Sequence, residues 1–193
     1  SKLAMVPFVS VDNMMRMVRD VGAERMMTEL ADRIEADLRG NILPFWLQHA
    51  KDSATGSFHG TIDCAGAVDP TAERGALLSS RILWIFSSAL RVHGDPAYRE
   101  MADYAYADLM RLFVDAKHGG FYWSVAADGC PLRKRKQIYG QAFAIYALAA
   151  YHRATGEDAP LQAARMIFGL IEDHARDAVH GGYFEAFSED WSP

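Results

Sequence analysis

Three short segments of this 193-residue chain are copies of one another: Asp52–Phe58, Asp115–Phe121 and Asp177–Tyr183 each run from an aspartate through a glycine-containing turn to an aromatic residue. Successive aspartates stand 63 and 62 residues apart, and each interval holds two helical patterns and one loop. A unit of that kind cannot cover its apolar face alone and must stack on its neighbours. The repeat therefore confines the chain to stacked helical hairpins carrying their loops on one side. Two architectures satisfy it: a curved array or closed toroid with a pocket where the loops meet, and an open helical solenoid acting as an interaction scaffold.

The helices are read from apolar residues recurring at three- and four-residue steps. Met14, Met17, Val18, Val21, Met26, Leu30, Ile34 and Leu38 predict one long helix, or two, over 11–38. A shorter helix is expected over Asn41–Ala50, with Pro44 in its first turn, where no backbone donor is missed. Glu73–Val92, Pro96–Val114, Lys136–Ala154 and Pro160–Ala175 supply four more, with prolines opening two of them and Gly94 stopping the first. Phe58–Ile62, Phe121–Val125 and Tyr183–Phe187, each opened by glycine, predict brief β-hairpins on long loops.

Composition removes several classes of function. Half the residues are hydrophobic and 23% are charged, which suits a packed core and excludes disorder. A net charge of -5 argues against a nucleic-acid partner, because phosphate binding wants a basic face. The one basic run, Arg133–Lys136, is expected to be a solvated turn. Apolar stretches are broken by charges well before the ~20 residues a membrane span needs, and residues 1–11 lack the features of a secretory signal. Cys64 and Cys130 have neither metal-ligand spacing nor a disulfide framework, so a cytoplasmic setting is expected.

Few residues suggest chemistry. Arg81 shares a helical face with Leu77, Leu78 and Ile85; a guanidinium there is either paired or snorkelling, or it faces a cavity where it can hold a sugar oxygen or stabilise developing negative charge. Tyr139 lies on one face with Ala142, Phe143 and Tyr146 and is expected to point inward, its hydroxyl needing a partner. Arg81 and Tyr139 are expected to share one cavity, shielded from solvent. Phe121, Tyr122 and Trp123 follow a Gly-Gly turn, where their rings suit either the apolar faces of a pyranose or core filling beneath the loop. Glu185, in the matching place of the third copy, is expected to be solvated or ion-paired. His49, His59, His93, His118, His152, His174 and His180 form no close ligand pair, so no metal site is expected. His118 and His180 hold equivalent places in two repeats, which favours a structural role in the turn. No serine-hydrolase elbow, P-loop or dinucleotide fingerprint is present.

Five ordered blocks carry a further signal: Asn41–Trp46, Ser80–Trp84, Gly119–Val125, Lys136–Phe143 and Gly181–Ser188 followed by Asp190-Trp191. Together they resemble the N-acylglucosamine 2-epimerase superfamily, and Ser80–Trp84 and Lys136–Tyr139 are most similar to its cellobiose 2-epimerase branch. The resemblance implies an all-α fold, an (α/α)6 barrel of helical hairpins with short β-hairpin loops on one side. It also implies a cytoplasmic enzyme that needs no cofactor and acts on a monosaccharide or on the reducing-end sugar of a disaccharide. By position Arg81 matches the arginine that contacts substrate near the reacting carbons, and Tyr139 matches a pocket tyrosine; Trp123 is carried with them as a substrate-binding residue. His59 stands where a tyrosine is usual.

Family members are roughly twice this length, and their proton-exchanging histidines lie in segments that would follow Pro193. The expectation is thus a single domain over 1–193 forming half a barrel, with Arg81 stabilising an enediolate and no base pair of its own. Three other readings compete with this one. An aldose–ketose (mannose) isomerase of the same superfamily would use the same face, and a non-catalytic helical-repeat module would need no chemistry; a glycoside hydrolase would need two carboxylates, of which only Glu185 is evident. Expected partners are the sugar, and either a missing C-terminal half or a second copy closing on exposed apolar edges.

Overall fold

A computed structural model describes residues 23–193. They fall into two compact units, one ending at His49 and one spanning Ala50–Pro193, where the sequence suggested one domain.

The first unit holds helix α1 (Ala23–Asp37), a π-helical turn (Leu38–Ile42) and helix α2 (Leu43–His49). Residues 11–22 of the long helix expected from the sequence lie outside the described residues. In α1 the apolar stripe is present but exposed at Met26, Leu30 and Ile34. Periodicity puts these side chains on one face; burying them takes a neighbour. Helix α2 begins at Leu43 with Pro44 in its first turn, as expected.

The second unit is built from helices α3 (Ala76–His93), α4 (Pro96–Leu112), α5 (Ile138–Thr155) and α6 (Asp158–His174), with seven strands of two or three residues. Helix α3 packs against α4 and α5, and α5 against α6, so two helical hairpins stand side by side. Their ends repeat. Helices α3 and α5 stop at Gly94 and Gly156, both left-handed (φ 67° and 78°), each donating its N–H four residues back. Helix α4 opens on Asp95, whose side chain accepts from the Ala97 N–H, with Pro96 at the first helical position.

Helices α3 and α5 begin two to three residues later than periodicity suggests, because the residues before them are strands. Strand β3 (Arg74–Gly75) pairs antiparallel with β4 (Ser124–Val125), which also pairs with β5 (Pro131–Arg133); β6 (Lys136–Gln137) pairs with β7 (Ala186–Phe187). Two of the expected hairpins are thus connections across repeats: β4 and β7 each join a strand that opens an inner helix. Strands β1 (Lys51–Asp52) and β2 (Ser57–Phe58) form a tight local hairpin, and β4 also turns back locally on β5 through residues 126–130, so the second expected hairpin is present as well.

The three turns share a bridge and two hydrogen bonds. The residue before each aspartate pairs with the aromatic seven residues later: Lys51 with Phe58, Val114 with Phe121, Arg176 with Tyr183. Inside each turn the aspartate Oδ1 accepts from the N–H two residues on, and its carbonyl accepts from Gly56, Gly119 or Gly181. Gly119 and Gly120 both hold positive φ, and a Cβ on Gly120 would lie 2.8 Å from the Trp191 ring, so the second turn admits nothing larger there. His118 and His180 donate backbone N–H groups to Asp115 and Asp177, the structural role expected of them.

The basic run departs from its expectation. Arg133, Lys134 and Arg135 are exposed, but Lys136 is completely buried, its Nζ 2.6 Å from Asp115 Oδ2, also buried. Strand pairing of Lys136 with Phe187 turns it inward.

Candidate active-site wall

Helices α3 and α5 touch along one side, and the side chains on their adjoining outer face form a connected surface. The Arg81 guanidinium carbon sits 5.3 Å from the centre of the Phe143 ring, and that ring is 4.9 Å from Tyr139. One turn further along, Trp84 stacks on Tyr146 at 5.3 Å. At the start of α5, Gly140 lets the Trp123 indole approach so closely that an added Cβ would lie 3.3 Å from two ring carbons. Arg135 covers that indole, 5.3 Å from its centre. The Ile138 N–H donates to the Glu185 carbonyl at 2.8 Å, which brings the Glu185 carboxylate to 3.4 Å from the Tyr139 N–H.

Arg81, Tyr139 and Trp123 are therefore brought onto one wall, with Phe143 and Gly140 as the links. Their setting differs from the expectation of a shielded cavity. Arg81 is exposed and Tyr139 is 47% exposed, because α3 and α5 spend their other faces on each other and on α4 and α6. Glu185 is exposed, as expected. The face can offer a cation, a phenol and several ring faces to a ligand: groups that bind a polyol and stabilise an oxyanion. Sequence reasoning named Phe143 and Tyr146 only as neighbours of Tyr139 and gave no role to Trp84 or Arg135. The repeat was the available signal, since Phe143 stands 62 residues after Arg81 in the matching helix.

Six of the seven histidines lie in other contacts: His118 and His180 in the turns, His152 on the Glu157 carbonyl, His174 stacked on Trp191, His49 beside Phe45 and His93 beside Tyr98. Asp115, His118 and Glu189 offer ligand atoms within 4.8 Å of one another. The Lys136 ammonium already occupies that carboxylate, and its charge opposes a cation there.

A cavity of about 520 Å³ lies elsewhere, between Met110 of α4, the second turn, and Ala163, Met166, Leu170 and Asp173 around α6. The first repeat explains it. There Tyr104 packs on Phe58 and donates to the Ser57 carbonyl, while Arg111 donates to the Gly56 carbonyl, each at 2.8 Å. The residues 62 positions later are Met166 and Asp173, which fill less space and cannot make the same bonds.

The family model for N-acylglucosamine 2-epimerase (GlcNAc 2-epimerase) matches residues 56–193. This chain belongs to that family. Within it, the cellobiose 2-epimerase of Bacteroides fragilis is 40% identical over 163 residues, 84% of this chain and 42% of that protein. The solved cellobiose 2-epimerase of Spirochaeta thermophila superposes with a TM-score of 0.85 at 46% identity, covering 89% of this chain and 42% of that one. A solved D-mannose isomerase shares the fold, with a TM-score of 0.71 at 24% identity over 78% of this chain and 38% of that one. A 38-residue match, 55% identical, is to the ornithine cyclodeaminase of Agrobacterium tumefaciens and covers 20% of this chain. The N-acylglucosamine 2-epimerase family member described here thus spans less than half the length of the epimerases it matches, and corresponds to their N-terminal part. Those neighbours are (α/α)6 barrels, and this chain supplies part of one.

Proposed function

We propose that this chain forms part of the substrate wall of a carbohydrate 2-epimerase of the cellobiose 2-epimerase kind. It would act on the reducing-end sugar by proton exchange at C2. Such a reaction opens the sugar ring, removes the weakly acidic C2 proton, and returns a proton to the opposite face. Between the two transfers the electron pair rests on an enediolate oxygen. Arg81 is the group for that oxygen: an exposed guanidinium lying over the Phe143 ring, where it can meet the charge that develops. Tyr139 offers its hydroxyl to the sugar, and Trp123 a ring face to the C–H side of the pyranose.

The single observation that carries this reading is the Arg81–Phe143–Tyr139 chain of contacts on a face that also holds Trp123. The six histidines placed above make their contacts elsewhere, and the two bases, with values of ~6.5 suited to neutral pH, are assigned to residues outside this chain. Mannose isomerisation would use the same enediolate with the proton returned to C1. Exposed free thiols at Cys64 and Cys130 suit a reducing, cytoplasmic setting, and no described helix is long and apolar enough to cross a membrane.

Two measurements test the proposal. Tryptophan fluorescence during titration with cellobiose, lactose, mannose and N-acetylglucosamine should show binding by at least one sugar, weakened about 10- to 100-fold by Arg81→Ala, the range for hydrogen bonds to a charged group. Proton NMR in heavy water should show no loss of the C2 proton signal with this chain alone. Absence of all sugar binding overturns the wall; C2 exchange by the isolated chain overturns the assignment of the bases.

A further inference from the structure

The aspartates of the three turns use their second carboxylate oxygen unequally. In the first turn Asp52 Oδ2 meets Arg74 Nη2 at 2.7 Å; in the second, Asp115 Oδ2 meets Lys136 Nζ at 2.6 Å. Both cations stand on the short strand that opens the next inner helix, 22 and 21 residues after their aspartate. Each pair therefore staples one repeat to the following one. In the third turn Asp177 Oδ2 meets His180 Nδ1 at 3.2 Å, a contact within the turn itself, where the His180 side chain is 82% exposed.

The aromatic residues of the turns report the same asymmetry independently. Phe58 and Phe121 are each 2% exposed, while Tyr183 is 52% exposed with Phe184 and Val179 open beside it. Phe58 is covered by Tyr104 of the following outer helix. The third turn has the backbone of the second, with positive φ at both glycines of each, so the difference from Phe121 comes from what packs on it.

We propose that the third turn is a docking surface for the helical hairpin that follows the matched region in the relatives. A lysine or arginine on the strand opening that hairpin would pair with Asp177 Oδ2, and its second helix would cover Tyr183. Charge complementarity, the apolar surface around Asp177, and the more than half of each relative that lies outside the match all support this occupant. A second copy of this chain fits less well. On the strands that open its inner helices, a second copy carries Arg74 and Lys136, and both are buried and already bound to their own aspartates. The inference concerns assembly and stands apart from the sugar chemistry proposed above.

Co-expression of this chain with the C-terminal part of the Bacteroides fragilis cellobiose 2-epimerase, followed by light scattering of the complex across a dilution series, tests it. Co-expression lets either piece fold on the other. The expected result is a one-to-one complex that Asp177→Asn weakens at least tenfold, although the asparagine keeps the Oδ1 acceptor of the turn. Tyr183→Ala should weaken it as well. Exchanging charges, with Asp177→Lys here and aspartate in place of the basic residue on the partner's opening strand, should restore association. The proposal is overturned by failure of the pieces to associate, by equal affinity of Asp177→Asn and the parent, or by a homodimer that Asp177→Asn dissociates.

Discussion

Lys136 Nζ and Asp115 Oδ2 meet at 2.6 Å with both side chains completely buried, joining the strand that opens α5 to the turn that closes the preceding repeat. Two charges removed from water are tolerable because the carboxylate also accepts from the Lys117 and His118 N–H groups. The Lys136 ammonium further lies 4.9 Å from the Tyr122 ring.

Breaking that pair from one side should be costly. Lys136→Met leaves a buried carboxylate without its counter-ion, and a loss of about 3–5 kcal/mol is expected in urea denaturation. Adding Asp115→Asn removes the orphaned charge and should recover much of the loss. A cost below ~1 kcal/mol for Lys136→Met would show that the pair does not hold the repeats together.

Acid should act through the same carboxyl. Burial pushes Asp115 up, but the Lys136 ammonium and the His118 and Lys117 N–H groups outweigh it and hold the carboxyl well below the usual range. A depressed folded value means that the unfolded chain takes up the proton first. The contribution is therefore complete above the unfolded value of ~3.9 and is lost as pH falls toward the folded one. Stability measured from pH 6 to pH 2 should decline in that window, and Asp115→Asn should flatten the decline.

Asp108 should behave in the opposite sense. Burial raises its carboxyl above the ordinary range, only partly offset by Ser57, Ser79 and the more distant Arg111. Ser79 donates to its Oδ2 at 2.8 Å, while Arg111 stays 3.6 Å from Oδ1. A raised folded value costs stability as pH climbs past ~3.9. Asp108→Asn should thus raise the melting temperature at pH 7, by about 2–4 °C for each kcal/mol regained; a lower one would show that the carboxylate is needed.

The cavity beside α6 can be filled by copying the first repeat. Met166→Tyr puts a phenol where Tyr104 stands one repeat earlier, within reach of the second turn. A gain of about 0.5–2 kcal/mol is expected from thermal or denaturant unfolding. Destabilisation would mean that the two joints differ in backbone as well as in side chains.

Much of the fold was legible in the sequence because it repeats. The aspartate turns, the glycine stops at Gly94 and Gly156, and the helices of the second unit follow from local chemistry: positive φ, caps and 3.6-residue periodicity. What lies far along the chain was not. Lys136 read as one of four solvated cations, because nothing in its immediate sequence announces a buried aspartate 21 residues before it.

Arg81 shows the same limit on the functional wall. Residue spacing places Arg81 on a helical face with Leu77 and Ile85 and Tyr139 on one with Phe143, and it shows three copies of one unit. Tertiary structure alone decided that those two faces adjoin, that Phe143 lies between arginine and tyrosine, and that the shared surface is exposed. Periodicity fixes which side chains point the same way. Burial depends on whether another element packs over them, and that element belongs to a different part of the chain.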